Sequence, residues 1–273
     1  MSTPMIDHTV KEHSPHVAYW MVQAADLAYK DETTIEAKAH EWGFERVRHH
    51  QTRFTPPFPL EDTQAYTIAG DRMIITGFRG TEPAQIRDWL SDATTPPWPG
   101  PANTGYIHHG FGRALDSIFP TVKATLADFR DNDQTVWFTG HSLGGALAML
   151  AGCRMYLEAP RLQADGIYTY GQPRTCDRLL AASCNKGFKD RLHRYVNNNN
   201  DVVPQLPPEP AYTHVDTLHY IDSNGRVRSS TPLLGTLTDH VKGATADLLA
   251  PASDGLRDHP VKNYIAALEK NLV

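Results

Sequence analysis

Residues 135–150 read TVWFTGHSLGGALAML. The first five are β-branched or aromatic and have the length of a buried strand. From Leu143 the chain turns to helix formers, and LGGALAMLAGCRMYLEA (143–159) reads as a helix. Between the two, Ser142 stands among small residues in the pattern G-x-S-x-G. A strand-to-helix turn this tight holds its serine in a strained backbone and leaves no room for a Cβ two residues before or after it, hence Gly140 and Gly144. Gly145 and Ala146 let the helix lie close to the sheet. The turn lifts the hydroxyl to the carboxyl ends of the strands, where open α/β sheets carry their sites. It also aims the first helical N–H groups at the same point, which suits a developing oxyanion. A chance glycine-rich turn is the bland alternative, and the strand before and helix after weigh against it. A phosphate-binding loop is excluded, because no Gly-Lys-Ser/Thr closes the run.

Outward from the elbow, strands and helices alternate. Ser14 and Pro15 read as the cap and first residue of a helix to about Tyr29, and a second helix fits 34–42. FERV (44–47), AYTIA (65–69) and RMIITGF (72–78) read as strands. A helical pattern runs from Phe111 to about Arg130, with an interruption expected near Pro120. After the elbow come a strand at 166–171, a helix near 177–187, a strand at 191–197 and a strand within 214–222. Helices over about 233–249 and 261–270 close the chain. This order predicts an α/β fold with a mostly parallel central sheet flanked by helices on both faces, in one domain over 1–273.

The bulk numbers fit an enzyme-sized globular chain. Its 273 residues are 40% hydrophobic and 21% charged, with a formal net charge of -5. No basic footprint for nucleic acid stands out, and no apolar run is long enough to span a membrane. The first 16 residues hold no apolar leader core, which makes a cytoplasmic protein the default expectation and a secreted mature form the other reading. Three cysteines match no zinc spacing. Cys153 reads as a buried thiol in an apolar helix. Cys176 and Cys184 could pair, with free thiols preferred. The His pairs at 49–50 and 108–109 lack a third ligand at metal-site spacing, so neither a metal nor a cofactor is expected.

A serine hydroxyl needs a base, and the base needs an orienting acid. In a fold with this elbow the chain order is Ser, acid, His. Asp201 follows a strand and the polar NNNN loop, whereas Asp165 precedes a strand and Asp177 starts a helix, so Asp201 is preferred. For the base, His240 and His259 compete. His240 falls in a helical run, while His259 follows a loop and is pinned by Pro260, so His259 is preferred. His193, His214 and His219 lie in or beside strands and read as structural.

Four stretches together resemble the fungal-type (class 3) triacylglycerol lipases of the α/β-hydrolase fold. They are FRGTEPAQIRDWLSD (78–92), HHGF (108–111), GHSLGG (140–145) and NNNNDVVPQLPP (197–208), and the likeness spans roughly 65–265. The resemblance implies Ser142 as nucleophile, Asp201 as acid, His259 as base, and Thr81 and Leu143 as the oxyanion hole. It implies an ion pair by which Arg79 braces the Thr81 loop. It also implies a lid over about 82–105, with Ile86, Trp89, Leu90 and Trp98 as its apolar contacts; a packed loop with a core tryptophan is the alternative for this segment. The implied substrate is an acyl-ester lipid at a lipid–water interface. A soluble carboxylesterase or feruloyl esterase of the same family, a phospholipase A1, and an inactive lipase-like interaction module are the competing functions. Secreted fungal members carry several disulfides, which this chain is not expected to share.

Overall fold

The computed structural model describes residues 13–55, 58, 60, 62–81, 95–188, 191–197, 201–215, 218–229 and 259–272. Among them, two helices open the chain, α1 (Pro15–Leu27) and α2 (Glu32–Glu41). Three antiparallel strands follow: β1 (Arg46–Arg53), β2 (Asp62–Ala69) and β3 (Met73–Phe78). A small ribbon of β4 (Trp98–Pro99) and β5 (Tyr106–Ile107) precedes the long helix α3 (His109–Phe129). Then come β6 (Thr135–His141), α4 (Leu143–Glu158), β7 (Gly166–Tyr170), α5 (Arg178–Phe188) and β8 (Leu192–Asn197). The hairpin β9 (Leu218–Ile221) and β10 (Val227–Arg228) and the helix α6 (Val261–Glu269) complete the described elements.

The sheet runs β1-β2-β3-β6-β7-β8-β9-β10, and from β3 to β9 all neighbours are parallel. Alternation along each strand assigns its two faces. Ile74, Val136, Phe138 and Ile167 pack into one apolar cluster with α3, α4 and α5. Ile75, Trp137, Tyr168 and Tyr170 pack into a second one with α1, α2 and α6. Burying both faces makes the central strands continuously apolar, which is why TVWFT carried no polar alternation. This is the α/β-hydrolase arrangement that the resemblance implied.

The α1 cap forms as read: the Ser14 hydroxyl accepts from the Val17 N–H, with Pro15 in the first turn. Three readings are corrected. Helix α3 is not interrupted, because Pro120 lies on its exposed side, where the carbonyl of Asp116, also exposed, can turn to water. Neither Cys153 nor Cys184 is the free thiol expected of it, whereas Cys176 is. A disulfide joins Cys153 to Cys184, with Cα atoms 5.8 Å apart, and ties α4 to α5, while Cys176 is a buried free thiol. The pairing follows from two helices lying side by side, which linear spacing does not reveal. Strand β10 was missed because it is two residues long. Its signal was the Asn224-Gly225 turn, with Gly225 at φ +76 and Asp222 accepting from the Asn224 and Arg226 N–H groups. The helix expected at 233–249 lies outside the described residues.

The histidines beside the outer strands do serve the fold. His13 stacks on His219 at 4.1 Å and its Nε2 lies 2.6 Å from the Tyr195 hydroxyl, while His193 Nδ1 lies 3.1 Å from His219 Nε2. Burial first, then the neighbouring imidazoles, lower His193 to about 3. Burial, then His13 and Arg194, lower His219 to about 4. The unfolded chain therefore takes up these protons first as pH falls below about 6.5, and stability is lost progressively from there towards about 3. His193 alone, 4% exposed, should account for roughly 2–3 kcal/mol of that loss by about pH 4.5. We expect His193→Gln to be less stable at neutral pH but to lose less on acidification. Urea midpoints measured between pH 7 and 4.5 test this; parallel slopes for variant and wild type would contradict it.

Candidate active site

The elbow forms at the end of β6. Ser142 adopts φ 59 and ψ -126, a backbone that side chains other than glycine rarely hold. Its N–H donates to the Tyr170 carbonyl at 2.8 Å, so the neighbouring strand β7 braces the turn. The two glycines permit it by close backbone approach. A Cβ on Gly140 would lie 2.2 Å from the Gly144 carbonyl oxygen, and one on Gly144 would lie 2.1 Å from that of Phe78. The second contact also presses the end of β3 against the elbow, which places Thr81, three residues on, beside this end of the sheet. Leu143, 2% exposed, is the first residue of α4 and brings its N–H to the positive end of that helix.

Ser142 Oγ lies 2.7 Å from His259 Nε2, and His259 Nδ1 lies 2.9 Å from both carboxylate oxygens of Asp201. The carboxylate can only accept, so Nδ1 carries the proton and Nε2 is left to accept from the serine. All three side chains are buried, with exposures of 0%, 0% and 1% for Ser142, His259 and Asp201. The structure thus brings together three residues that are up to 117 positions apart in sequence.

Asp201 is held by more than the histidine. Oδ1 accepts from the Val203 N–H at 3.1 Å and Oδ2 from the Tyr264 hydroxyl at 2.7 Å. Burial, then the Asp201 charge, push the Tyr264 phenol well above its ordinary range, so it remains a donor. The loop beyond Asp201 is fixed by His214, whose Nε2 donates to the Pro204 carbonyl at 2.7 Å, and by Arg174, whose N–H donates to that of Leu206 at 2.7 Å. The two rival acids have other tasks. Asp165 accepts from the Val136 N–H and Asp177 caps α5 through the Leu180 N–H, each at 2.9 Å.

Sequence reasoning missed four residues around this site: Tyr264, His141, Tyr29 and Gly171. His141 donates from Nε2 to the His259 carbonyl at 2.7 Å, and its Nδ1 lies 2.8 Å from the Tyr29 hydroxyl. Gly171 has φ +58, and a Cβ there would lie 2.9 Å from His259 Cε1. Only the glycine that follows IYTY at the end of strand β7 hinted at that approach.

Arg79 Nη1 donates to Gln64 Oε1 at 2.8 Å, while Glu82, Asp88 and Asp92, the acids nearest to it in sequence, lie outside the described residues, and so does the expected ion pair. Trp98 is not beside Ser142. Its indole packs against Gly112 on α3 and its Nε1 donates to Asp116 at 3.0 Å. The cavity of about 390 Å³ that it lines runs past Leu150, Arg154 and Glu158, roughly two to four helical turns along α4 from the serine. Residues 98–107 form the β4–β5 ribbon and a short turn, with Trp98 half-buried against α3. Ile86, Trp89, Leu90 and His240 lie outside the described residues. Among the described residues no group of three or more His, Cys, Asp or Glu is arranged to hold a metal ion, and no helix is long and apolar enough to cross a membrane.

Gly171→Ala should move the His259 ring and also carry a positive-φ cost of about 1–2 kcal/mol. We expect a lowered thermal midpoint and a lengthened Ser142–His259 contact in a crystal structure of the variant. An unshifted imidazole would show that the ring does not depend on this gap.

The family model described as Lipase (class 3) matches residues 75–211. The lipase of Rhizomucor miehei is 33% identical over 174 residues, covering 60% of this chain and 47% of that protein. Triacylglycerol lipase OBL1 of Arabidopsis thaliana is 26% identical over 255 residues, covering 74% and 48%. The chain thus spans about half the length of these curated relatives. A solved structure of Rhizomucor miehei triacylglyceride lipase superposes with a TM-score of 0.62 at 26% identity, covering 88% of this chain and 91% of that one. Because the match runs from β3 through the elbow to the loop beyond Asp201, and the fold agrees over most of both structures, the chain belongs to the class 3 lipase family.

Proposed function

We propose that the protein hydrolyses carboxylic esters of acylglycerols through a serine acyl-enzyme. Ser142 Oγ attacks the ester carbonyl while His259 Nε2 takes its proton. The backbone N–H groups of Thr81 and Leu143 stabilise the tetrahedral oxyanion, and Asp201 stabilises the imidazolium and fixes its orientation. His259 then gives the proton to the leaving alkoxide as the acyl-enzyme forms. Water, deprotonated by His259, attacks the acyl carbonyl, and the fatty acid leaves as the serine is reprotonated. The reaction needs no cofactor.

The observation that carries this reading is the 2.7 Å contact between Ser142 Oγ and a histidine whose other nitrogen faces a buried carboxylate. Such an arrangement activates an otherwise weak nucleophile. Membership of the lipase family favours acylglycerols over other esters. The zero exposure of Ser142 and His259 means that substrate reaches them only when a covering segment moves. The lid of about 82–105 implied by the family resemblance, with Ile86, Trp89 and Leu90 as apolar contacts, is the segment to which we assign that movement.

A fluorophosphonate probe should label the protein and fail to label Ser142→Ala. Asp201→Asn should lower kcat by about 10³–10⁴-fold, since the amide favours the wrong imidazole tautomer. Turnover of emulsified long-chain triglyceride should exceed that of soluble short-chain p-nitrophenyl esters and rise abruptly past the substrate's solubility limit. A preference for soluble short-chain esters would indicate an esterase, and a preference for phosphatidylcholine a phospholipase A1. Labelling that persists in Ser142→Ala would remove the nucleophile assignment.

A further inference from the structure

His141 adjoins the serine, yet the reaction above gives it no task. Its ring is 4% exposed and both nitrogens are engaged, Nε2 with the His259 carbonyl at 2.7 Å and Nδ1 with the Tyr29 hydroxyl at 2.8 Å. A carbonyl oxygen only accepts, so the proton sits on Nε2. Nδ1 is then bare and accepts from Tyr29. The His259 carbonyl therefore selects the tautomer, and the Tyr29 hydroxyl anchors the ring by donating to the nitrogen left bare. In the other tautomer the Nε2 lone pair would face those of the His259 carbonyl, and the two would repel. Burial, then His259 itself, hold His141 well below the usual imidazole range, so it stays neutral. Neutrality matters because the two rings are 4.5 Å apart, and a charge on one would oppose a proton arriving on the other.

The Tyr29 hydroxyl also meets the loop that leads to Thr81. A Cβ on Gly80 would lie 2.2 Å from it and 2.6 Å from the His141 carbonyl oxygen. One line of contacts thus runs from the oxyanion loop through Tyr29 and His141 to the His259 backbone. The Asp201 bonds hold the imidazole ring, and this line holds the backbone from which the ring hangs.

We propose that Tyr29 and His141 act as a positioning relay, in which Tyr29 anchors the His141 ring whose Nε2–H pins the His259 carbonyl and so aims the imidazole at Ser142. The relay rests on the acyl-enzyme reading. Neither residue touches the reacting atoms, so both are positioning residues.

The test is a double-mutant cycle on a soluble short-chain ester. Glutamine at position 141 can donate its amide N–H to the His259 carbonyl without a ring nitrogen left for Tyr29 to anchor. Tyr29→Phe should lower kcat about tenfold with KM within about twofold, and His141→Ala should lower it about 100-fold. His141→Gln should regain most of that loss, and adding Tyr29→Phe to it should cost less than about threefold. ¹⁵N spectra of the Tyr29→Phe protein should show His141 still protonated at Nε2, with its Nδ1 resonance shifted by loss of the Tyr29 hydrogen bond. Tyr29→Phe keeps the aromatic ring, so the test stands even if His141→Ala does not fold. An equal loss in both backgrounds, or a Tyr29→Phe protein with wild-type kcat, overturns the relay. Ser142→Ala assayed in parallel separates the two ideas, because hydrolysis that survives it overturns the acyl-enzyme reading and not the relay alone.

Discussion

The contact between Gly140 and Gly144 is the constraint on which the site depends. Two backbone segments pass so close that any side chain on either would collide with a carbonyl group. That closeness turns β6 into α4 within one residue and holds Ser142 at a positive φ. The conformation costs free energy, which the surrounding packing must offset. The offset is visible in its neighbours: β7 accepts the Ser142 N–H, Gly145 lets α4 settle on the sheet, and the end of β3 closes against Gly144. Loosening the turn would displace the hydroxyl, the helix N-terminus and the Thr81 loop together.

Around that point the protein assembles pieces from distant parts of the chain. Asp201 comes from the loop after β8 and His259 from just before α6. Helix α6 returns to the acid through Tyr264 and docks on α1, where Lys262 meets Asp26 at 2.8 Å. Helix α1 in turn leads to Tyr29 and His141. The sheet face that carries α1 and α6 therefore supports the base, while the opposite face, with α3 and α4, supports the serine.

The elbow, the strand–helix alternation and the order Ser, Asp, His were legible because each leaves a local mark in the sequence: glycine spacing, β-branched runs, an aspartate just past a strand. What was not legible depends on neighbours in space. Tyr264 looks like any apolar residue of an amphipathic helix until its hydroxyl is seen on Asp201. Cys153 and Cys184 are 31 residues apart and meet only because α4 and α5 lie side by side. Pro120 reads as a helix breaker, but the cost depends on whether its turn faces water. Trp98, in a proline-rich stretch inside the expected lid, packs against a glycine on α3, a contact that linear spacing does not reveal.

The separation of Ser142 from His259 by 117 residues also bears on biosynthesis. A ribosome adding about 5–20 residues per second needs roughly 6–23 s to travel that interval. Throughout it the emerging polypeptide already contains its serine but has no imidazole to set beside it. A growing chain therefore lacks the Ser142–His259 contact until the segment that leads into α6 has emerged and docked.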